Sequence, residues 1–495
     1  MSGLILKNVT LADGQRCNIV IKDNLIKDIV PAEQQCREGQ CREMQASEQQ
    51  CGNEQQCGNK RQCEKEQHCE KEQCREMQAS EQQCEKEWQC EKEQHCEKEQ
   101  QCREEQQCGQ EQEQYQVLDA EGMMALPGFI NMHCHSAMTL MRGAQEDDFL
   151  KGWLDKIWKM ENNLTPDVVY AGTRLACLEM IKSGTTCFFD QYRCISASSK
   201  AAQDMGLRAF HAYDFMNFFD QSVIEKNKQE CREKYEESKE WSPIANFAVS
   251  CHAPYSVSKE LLCFAAEFAA EHNLVLNVHL SETEQEVKDC IAKHGKTPTE
   301  YLDSIGYLSS NVIAAHSLWL SERDLDIYAQ RGVTAVHNIN SNLKLASGYK
   351  FLYKEMKQRG INIAMGTDGC ASSNNLDMLE AIKTMALVQK AWREDPTVMT
   401  LQELMEISSA NAAKALGINA GRLEKGALAD LMLVDTTGLA FVPQISPLAN
   451  FIYAANSSCI DTLICNGKVL MRHRVVEGEE EILAQAREYA KHLLR

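Results

Sequence analysis

Between residues 129 and 420 the chain repeats one pattern eight times: a short apolar, strand-like run, then an amphipathic stretch long enough for a helix. The strand-like runs fall at 129–134, 185–190, 207–213, 246–251, 274–279, 312–316, 333–337 and 361–366, with helical segments between them, as at 168–183 and 259–271. Eight strand–helix units predict an α/β fold, a (β/α)₈ TIM-type barrel. In that architecture the functional side chains gather at the C-terminal ends of the strands. His133-Cys134-His135 ends the first run, His279 the fifth and His316 the sixth, and Asp368 follows the eighth. Residues i and i+2 of a strand face the same way. His133 and His135 therefore leave together and can grip one metal ion, while Cys134 faces away from them. One histidine at a strand end is ordinarily a rim residue; four histidines and an aspartate at one barrel mouth are hard to explain as core filling.

The flanks read differently. Residues 4–7, 17–21 and 25–29 alternate like short antiparallel strands, with turns at Asp13-Gly14 and Lys22-Asp23-Asn24, and 117–120 continues the sheet. Runs at 431–435 and 462–468 repeat this style near the other end. The expected second unit is a small β-sandwich built from 1–33, 115–128 and 421–478. Gly478 then breaks the chain, and 479–495 closes it as a helix.

Residues 34–114 are low-complexity, rich in Gln, Glu, Lys, Arg and Cys, with no proline and no Ile, Leu or Val. Cys-Glu-Lys-Glu-Gln-His recurs at Cys63 and Cys90, and a twelve-residue unit at 40–51 returns at 73–84. About half of the 24 cysteines lie here. Such a segment cannot bury enough apolar surface to offset its ordering entropy. The expectation is a disordered or partly helical insert leaving the edge of the sheet. No CxxC occurs in it, which argues against a zinc or redox motif.

The formal net charge is -20, with nothing resembling a basic face, so nucleic acid is not an expected partner. No apolar run of about 18 residues suggests a membrane span. The start lacks a basic, then apolar, leader, so the expected compartment is the cytoplasm. A homo-oligomer is left open.

The segments LPGFINMHCH (126–135), NVHLSE (277–282), IAAH (313–316), HNINSNLKLASG (337–348) and GTDG (366–369) resemble the amidohydrolase superfamily. Within it, the chain is similar to the 5-methylthioadenosine/S-adenosylhomocysteine deaminases. The resemblance covers nearly everything outside the insert. It implies one zinc per chain, with iron as the alternative, held by His133, His135, His279 and Asp368. The fourth strand ends Ser250-Cys251-His252, with no lysine to be carbamylated and bridge a second ion, in keeping with one metal. Zinc takes such nitrogen and oxygen ligands and, with a position left open, lowers the pKa of a bound water toward neutrality. The resemblance further implies catalytic roles for Glu282, His316 and Asp368. Glu282 would be the proton shuttle, while His316 and Asp368 would take or orient the proton of the attacking water. It implies substrate contacts for Glu161, His252 and Trp153, with Glu161 holding ribose hydroxyls.

The implied reaction is hydrolytic deamination of an adenosine-type nucleoside. One stretch departs from this pattern. After the third strand the chain reads Asp214-Phe215-Met216-Asn217-Phe218-Phe219-Asp220, and no arginine follows before Arg232. A homocysteine carboxylate wants arginine, whereas aromatic and methionine side chains suit a thioether. The expectation is 5-methylthioadenosine ahead of S-adenosylhomocysteine or adenosine. Two alternatives stand: a guanine deaminase-like or triazine chlorohydrolase-like enzyme on the same scaffold, and a non-enzymatic, thiol-rich metal-binding protein.

Overall fold

The computed structural model describes residues 3–32 and 115–493; the expected disordered or helical insert at 34–114 lies outside the described residues. Eight strands, Phe129–Cys134, Thr185–Gln191, Arg208–Phe215, Ala245–Cys251, Leu276–Leu280, Val312–His316, Thr334–His337 and Ile363–Met365, form one parallel sheet in sequence order. Each matches an expected run, with ends shifted by at most three residues.

Alternation sorts their side chains. Cys187, Phe189, Phe210, Ala212, Ala248, Val275, Ile313, Val336 and Ala364 share one apolar cluster. Their odd or even neighbours, such as Phe188, Val249, Leu276, Val278, Ala314 and Met365, join the larger core with the surrounding helices. Continuing the first set by twos toward the strand ends reaches Gln191, Asp214, Ser250, Asn277 and His279. The lumen therefore turns from apolar to polar as it approaches the C-terminal mouth. Asn277 donates to Gln191 (2.7 Å) and Gln191 to Asp214 (2.9 Å), a chain of hydrogen bonds below the mouth.

The barrel closes between the short eighth strand and the first by means other than a regular ladder. The backbone N–H groups of Thr367 and Asp368 both donate to the His133 carbonyl (3.2 and 2.9 Å). Asn131 donates to Thr367 Oγ1 (2.7 Å) and accepts from the Thr367 N–H (3.1 Å). Gly366 permits this approach: a Cβ there would lie 2.6 Å from the His133 carbonyl oxygen.

Both ends of the chain contribute to a second, eight-stranded sheet. Met123–Pro127 pairs antiparallel with Leu431–Asp435, which pairs with Ile460–Cys465. Gly3–Thr10 pairs antiparallel with Arg16–Lys22 and parallel with Tyr115–Asp119. The sheet encloses its own apolar cluster of Leu6, Val9, Ile19, Ile21, Leu118, Leu431 and Ile464. The closing helix, Glu479–Leu493, joins the barrel: Arg174 and Lys182 of helix Pro166–Lys182 pair with Glu481 and Glu479.

Candidate active site

The strand ends bring four histidines and one aspartate together. His133 lies 4.9, 4.8 and 5.7 Å, ring centre to ring centre, from His135, His279 and His316. Asp368 Oδ1 is 3.1 Å from His135 Nε2 and 3.6 Å from His133 Nε2. Two of the rings are held from behind by backbone carbonyls. His135 Nδ1 faces the Gln191 carbonyl at 2.5 Å and His279 Nδ1 the His252 carbonyl at 2.7 Å. With those nitrogens donating, each Nε2 carries a bare lone pair toward the cluster. His279 Nε2 and His133 Nε2 face one another at 3.1 Å. Asp368 accepts from Ser341 Oγ (2.6 Å), Ser372 Oγ (3.2 Å) and the Gly369 N–H (2.9 Å), which fixes its carboxylate.

Burial holds His133 down to about 4 and His279 well below the ordinary histidine value. Burial also presses His135 down, but Asp368 outweighs it and lifts that ring to about 9. Burial alone would raise Asp368; its bonds to His133 and His135 hold it well below the carboxylate range. Neutral imidazoles at His133 and His279 and an ionised Asp368, with His135 giving up its proton to an ion that takes its place beside Asp368, make the donor set a divalent cation prefers. The residues present therefore fit the implied metal. Cys134 packs in the core behind, away from the cluster.

Glu282 follows the fifth strand, buried beside the cluster. Its Oε2 is 3.8 Å from His316 Nε2, and Ser347 Oγ donates to its Oε1 (3.2 Å). Burial, then the nearby Asp368 charge, raises its carboxyl to about 8, so it carries a proton at neutral pH. The Asn342 amide donates to His316 Nδ1 (2.9 Å). Asn342 lies in the HNINSNLKLASG segment; its part in orienting His316 depends on the fold of the loop after the seventh strand.

A cavity opens above these groups. Glu161, Trp153 and His252 all line it. Trp153 is fixed by donating Nε1 to the Ala371 carbonyl (3.2 Å), and His252 Nδ1 lies 2.7 Å from Ser256 Oγ. Trp158, Tyr192, Arg193 and Met216 join the wall; of these only Met216 lies in a stretch that the sequence marked, as suited to a thioether. Arg193 Nη2 lies 3.6 Å from Glu161 Oε2. This corrects the expectation that the cavity lacks an arginine: that reading followed the third strand's loop alone, whereas Arg193 enters from the end of the second. Of the segment 214–220, Met216 reaches the wall, Phe218 packs on Trp158 at 5.1 Å, and Phe219 lies under Lys293 at 4.0 Å.

A parallel barrel with a histidine–aspartate cluster and a protonated glutamate at its C-terminal mouth defines a metal-dependent hydrolase of the TIM-barrel class. The amidohydrolase family model matches residues 124–470, and the chain belongs to that family. It is 44% identical to a 5'-deoxyadenosine deaminase of Methanoregula boonei over 77% of this chain and 86% of that one. It is 42% identical to 5-methylthioadenosine/S-adenosylhomocysteine deaminase 1 of Archaeoglobus fulgidus over 76% and 90%. Among solved structures, an adenosine deaminase from Xanthomonas campestris with bound zinc superposes with a TM-score of 0.79, covering 99% of this chain and 98% of that one at 24% identity.

Proposed function

We propose that this protein is a hydrolytic deaminase of adenosine-type nucleosides, converting the 6-amino group to ammonia and leaving the inosine analogue. The observation that carries the reading is the convergence of His133, His135, His279 and Asp368 next to a carboxyl, Glu282, raised to about 8. His133, His135, His279 and Asp368 would hold one divalent ion, with zinc favoured by the nitrogen-rich donor set. A bound ion supplies Lewis acidity that brings the pKa of water toward neutrality.

The chain's own groups do the rest. Glu282, protonated at neutral pH, gives its proton to the ring nitrogen beside the attacked carbon, which makes that carbon electrophilic. Asp368 takes the proton of the attacking water, and His316, whose Nδ1 accepts from Asn342 so that its Nε2 carries the hydrogen, orients that water. As the carbonyl forms, Glu282 takes back a proton from the new hydroxyl, and the proton held on Asp368 passes to the departing amine, so ammonia leaves and both carboxyls return to their starting states, with a glutamate outside the ligand set serving as acid and base. Glu161 accepts from the ribose hydroxyls, with Trp153 and His252 framing the nucleoside. A small apolar 5' group, 5'-methylthio or 5'-deoxy, suits Met216 and the names of the relatives. Arg193 removes the charge argument against a homocysteine carboxylate, so S-adenosylhomocysteine stays within the proposed range. Among the described residues no helix is long and apolar enough to cross a membrane, and the buried free thiols suit a reducing cytoplasm.

Ammonia release from 5-methylthioadenosine, 5'-deoxyadenosine, S-adenosylhomocysteine, adenine and guanine by the zinc-loaded protein tests the reading. Adenosine derivatives should be turned over, and Glu161→Ala should raise their KM while sparing any activity on free bases. Turnover of guanine or a chlorotriazine, with none of any adenosine derivative, would sink the substrate class.

A further inference from the structure

Among the described residues three helices begin with the same reciprocal cap. In Thr297/Glu300, Ser321/Asp324 and Thr400/Glu403, the first side chain accepts from the backbone three residues on, and the acid there accepts from the first residue's own N–H. Helix Glu284–His294 has the matching residues, Thr283 and Glu286, and Thr283 Oγ1 accepts from the Glu286 N–H (3.1 Å). Glu286 does not return the bond to Thr283. It reaches further back, its Oε1 accepting from the Ser281 N–H (2.9 Å) and its Oε2 from the Glu282 N–H (2.8 Å). Unlike the half-buried Glu403, Glu286 is buried.

The turn it grips is not an ordinary one. Ser281 has φ +53°, a left-handed conformation unfavourable for a residue with a Cβ. The Ser281 carbonyl is held from the other side by the N–H groups of Leu318 (3.1 Å) and Trp319 (2.9 Å), and the Leu280 carbonyl by the N–H of Ser317 (3.0 Å). His316 is therefore chain neighbour to one side of this clamp and Glu282 to the other. A carboxylate accepting two adjacent N–H groups fixes both the position and the tilt of that peptide unit, which one hydrogen bond alone does not do.

We propose that Glu286 is a positioning residue for Glu282: its two carboxylate oxygens set the backbone from which Glu282 reaches the reacting ring. The inference rests on the reading of Glu282 as the proton-transfer group. Glu286 touches neither the cluster nor the cavity's nucleoside-facing wall, so it acts on the chemical step and not on binding or on the metal.

The test is a double-mutant cycle with Glu286→Gln and Glu282→Gln, read as kcat, KM, bound zinc and melting temperature. Glu286→Gln keeps the shape but presents an amide NH2, a donor, to one of the two N–H groups. Its kcat should fall by about tenfold or more, the scale of a small misplacement of a reacting group, with KM within about twofold and zinc unchanged. The double variant should be no slower than Glu282→Gln alone, because Glu286 acts only through Glu282. Glu286→Asp, which retains a carboxylate, should recover part of the loss and stands in if the glutamine variant does not fold. Unchanged kcat, loss of zinc, or losses that multiply in the double variant would overturn the proposal. Full turnover by Glu282→Gln would instead overturn the reading on which it rests, and the proposal with it.

Discussion

At the residue scale, burial has different consequences for histidines that look alike in sequence. His316 ends the sixth strand and meets Glu282 across the mouth, whereas His337 ends the seventh and packs edge-on against Phe351 at 4.3 Å. Its alternation phase turns it outward, into the core between barrel and helices. His337 is fully buried and neither ring nitrogen has a partner, and burial lowers it to about 3. The unfolded chain takes up this proton as pH falls through about 6.5, while the folded protein resists until about 3. The group thus costs nothing above pH 6.5 and destabilises the fold progressively below it, by about 2 kcal/mol at pH 5. The raised carboxyls of Glu282 and Glu286 act in the opposite sense, so the effect has to be read by difference. His337→Leu should leave stability at pH 7.5 equal or higher, and should gain on the parent as pH drops from 6.5 to 5. Denaturant unfolding of both proteins at the two pH values checks this; a constant difference would refute it.

At the element scale, the junction of the first and eighth strands places two parts of the proposed ligand set together. The His133 carbonyl receives the N–H groups of both Thr367 and Asp368, so the position of Asp368 depends on how closely the strands approach. Gly366 makes that approach possible. A Cβ there would meet the His133 carbonyl oxygen at 2.6 Å, the His133 nitrogen at 2.7 Å and Asn338 Oδ1 at 2.7 Å. Two of these are backbone atoms and cannot swing aside. Gly366→Ala should therefore destabilise by roughly 1–3 kcal/mol, the range for overpacking, and lower zinc content as well. Thermal melting and metal analysis on the same preparation would show both; a normal melting temperature with full zinc would contradict the account of closure.

At the scale of the whole molecule, the low-complexity segment 34–114 interrupts the terminal sheet, not the barrel. Pro31 pairs with Cys17, which pairs with Val9, while Tyr115 pairs with Gly3 on the other side of the same strand. The two ends of the described chain are thus offset by six residues along the strand and three strand spacings across it. At about 3.3 Å per residue and 4.8 Å per strand this is roughly 25 Å, which needs at least about eight extended residues to span. Replacing 36–112 by a Gly/Ser linker of about twelve residues should leave a folded, zinc-binding enzyme with turnover within about threefold of the parent, since loop length costs little once a loop is long. A soluble, zinc-loaded deletion that loses most of its turnover would show that the segment serves the reaction.

What the sequence determined was whatever repeats with a local period. Eight strand-like runs with helices between them were legible because strand and helix periodicities are properties of short windows. The HxH pair, His279, His316 and Asp368 were legible because they sit where those windows end, and the fold class puts strand ends at one mouth. Glu282 and Glu161 were reached through motifs beside them. The terminal sheet was legible for the same reason, though not its register. What only the tertiary structure decided are contacts between loops distant in sequence. Arg193 and Tyr192 meet Glu161 across a helix–strand gap, and Asn342 meets His316 across two strands. Ser341 holds Asp368 from the segment after the seventh strand, and Asn131 locks the barrel to Thr367 at a separation of 236 residues. Glu286 falls between the two cases. Its residue type and place after Thr283 announce a helix cap, but the donors it binds depend on the left-handed turn at Ser281, which is imposed by the loop after the sixth strand. A local pattern fixes which groups a chain offers, and packing fixes which of them meet.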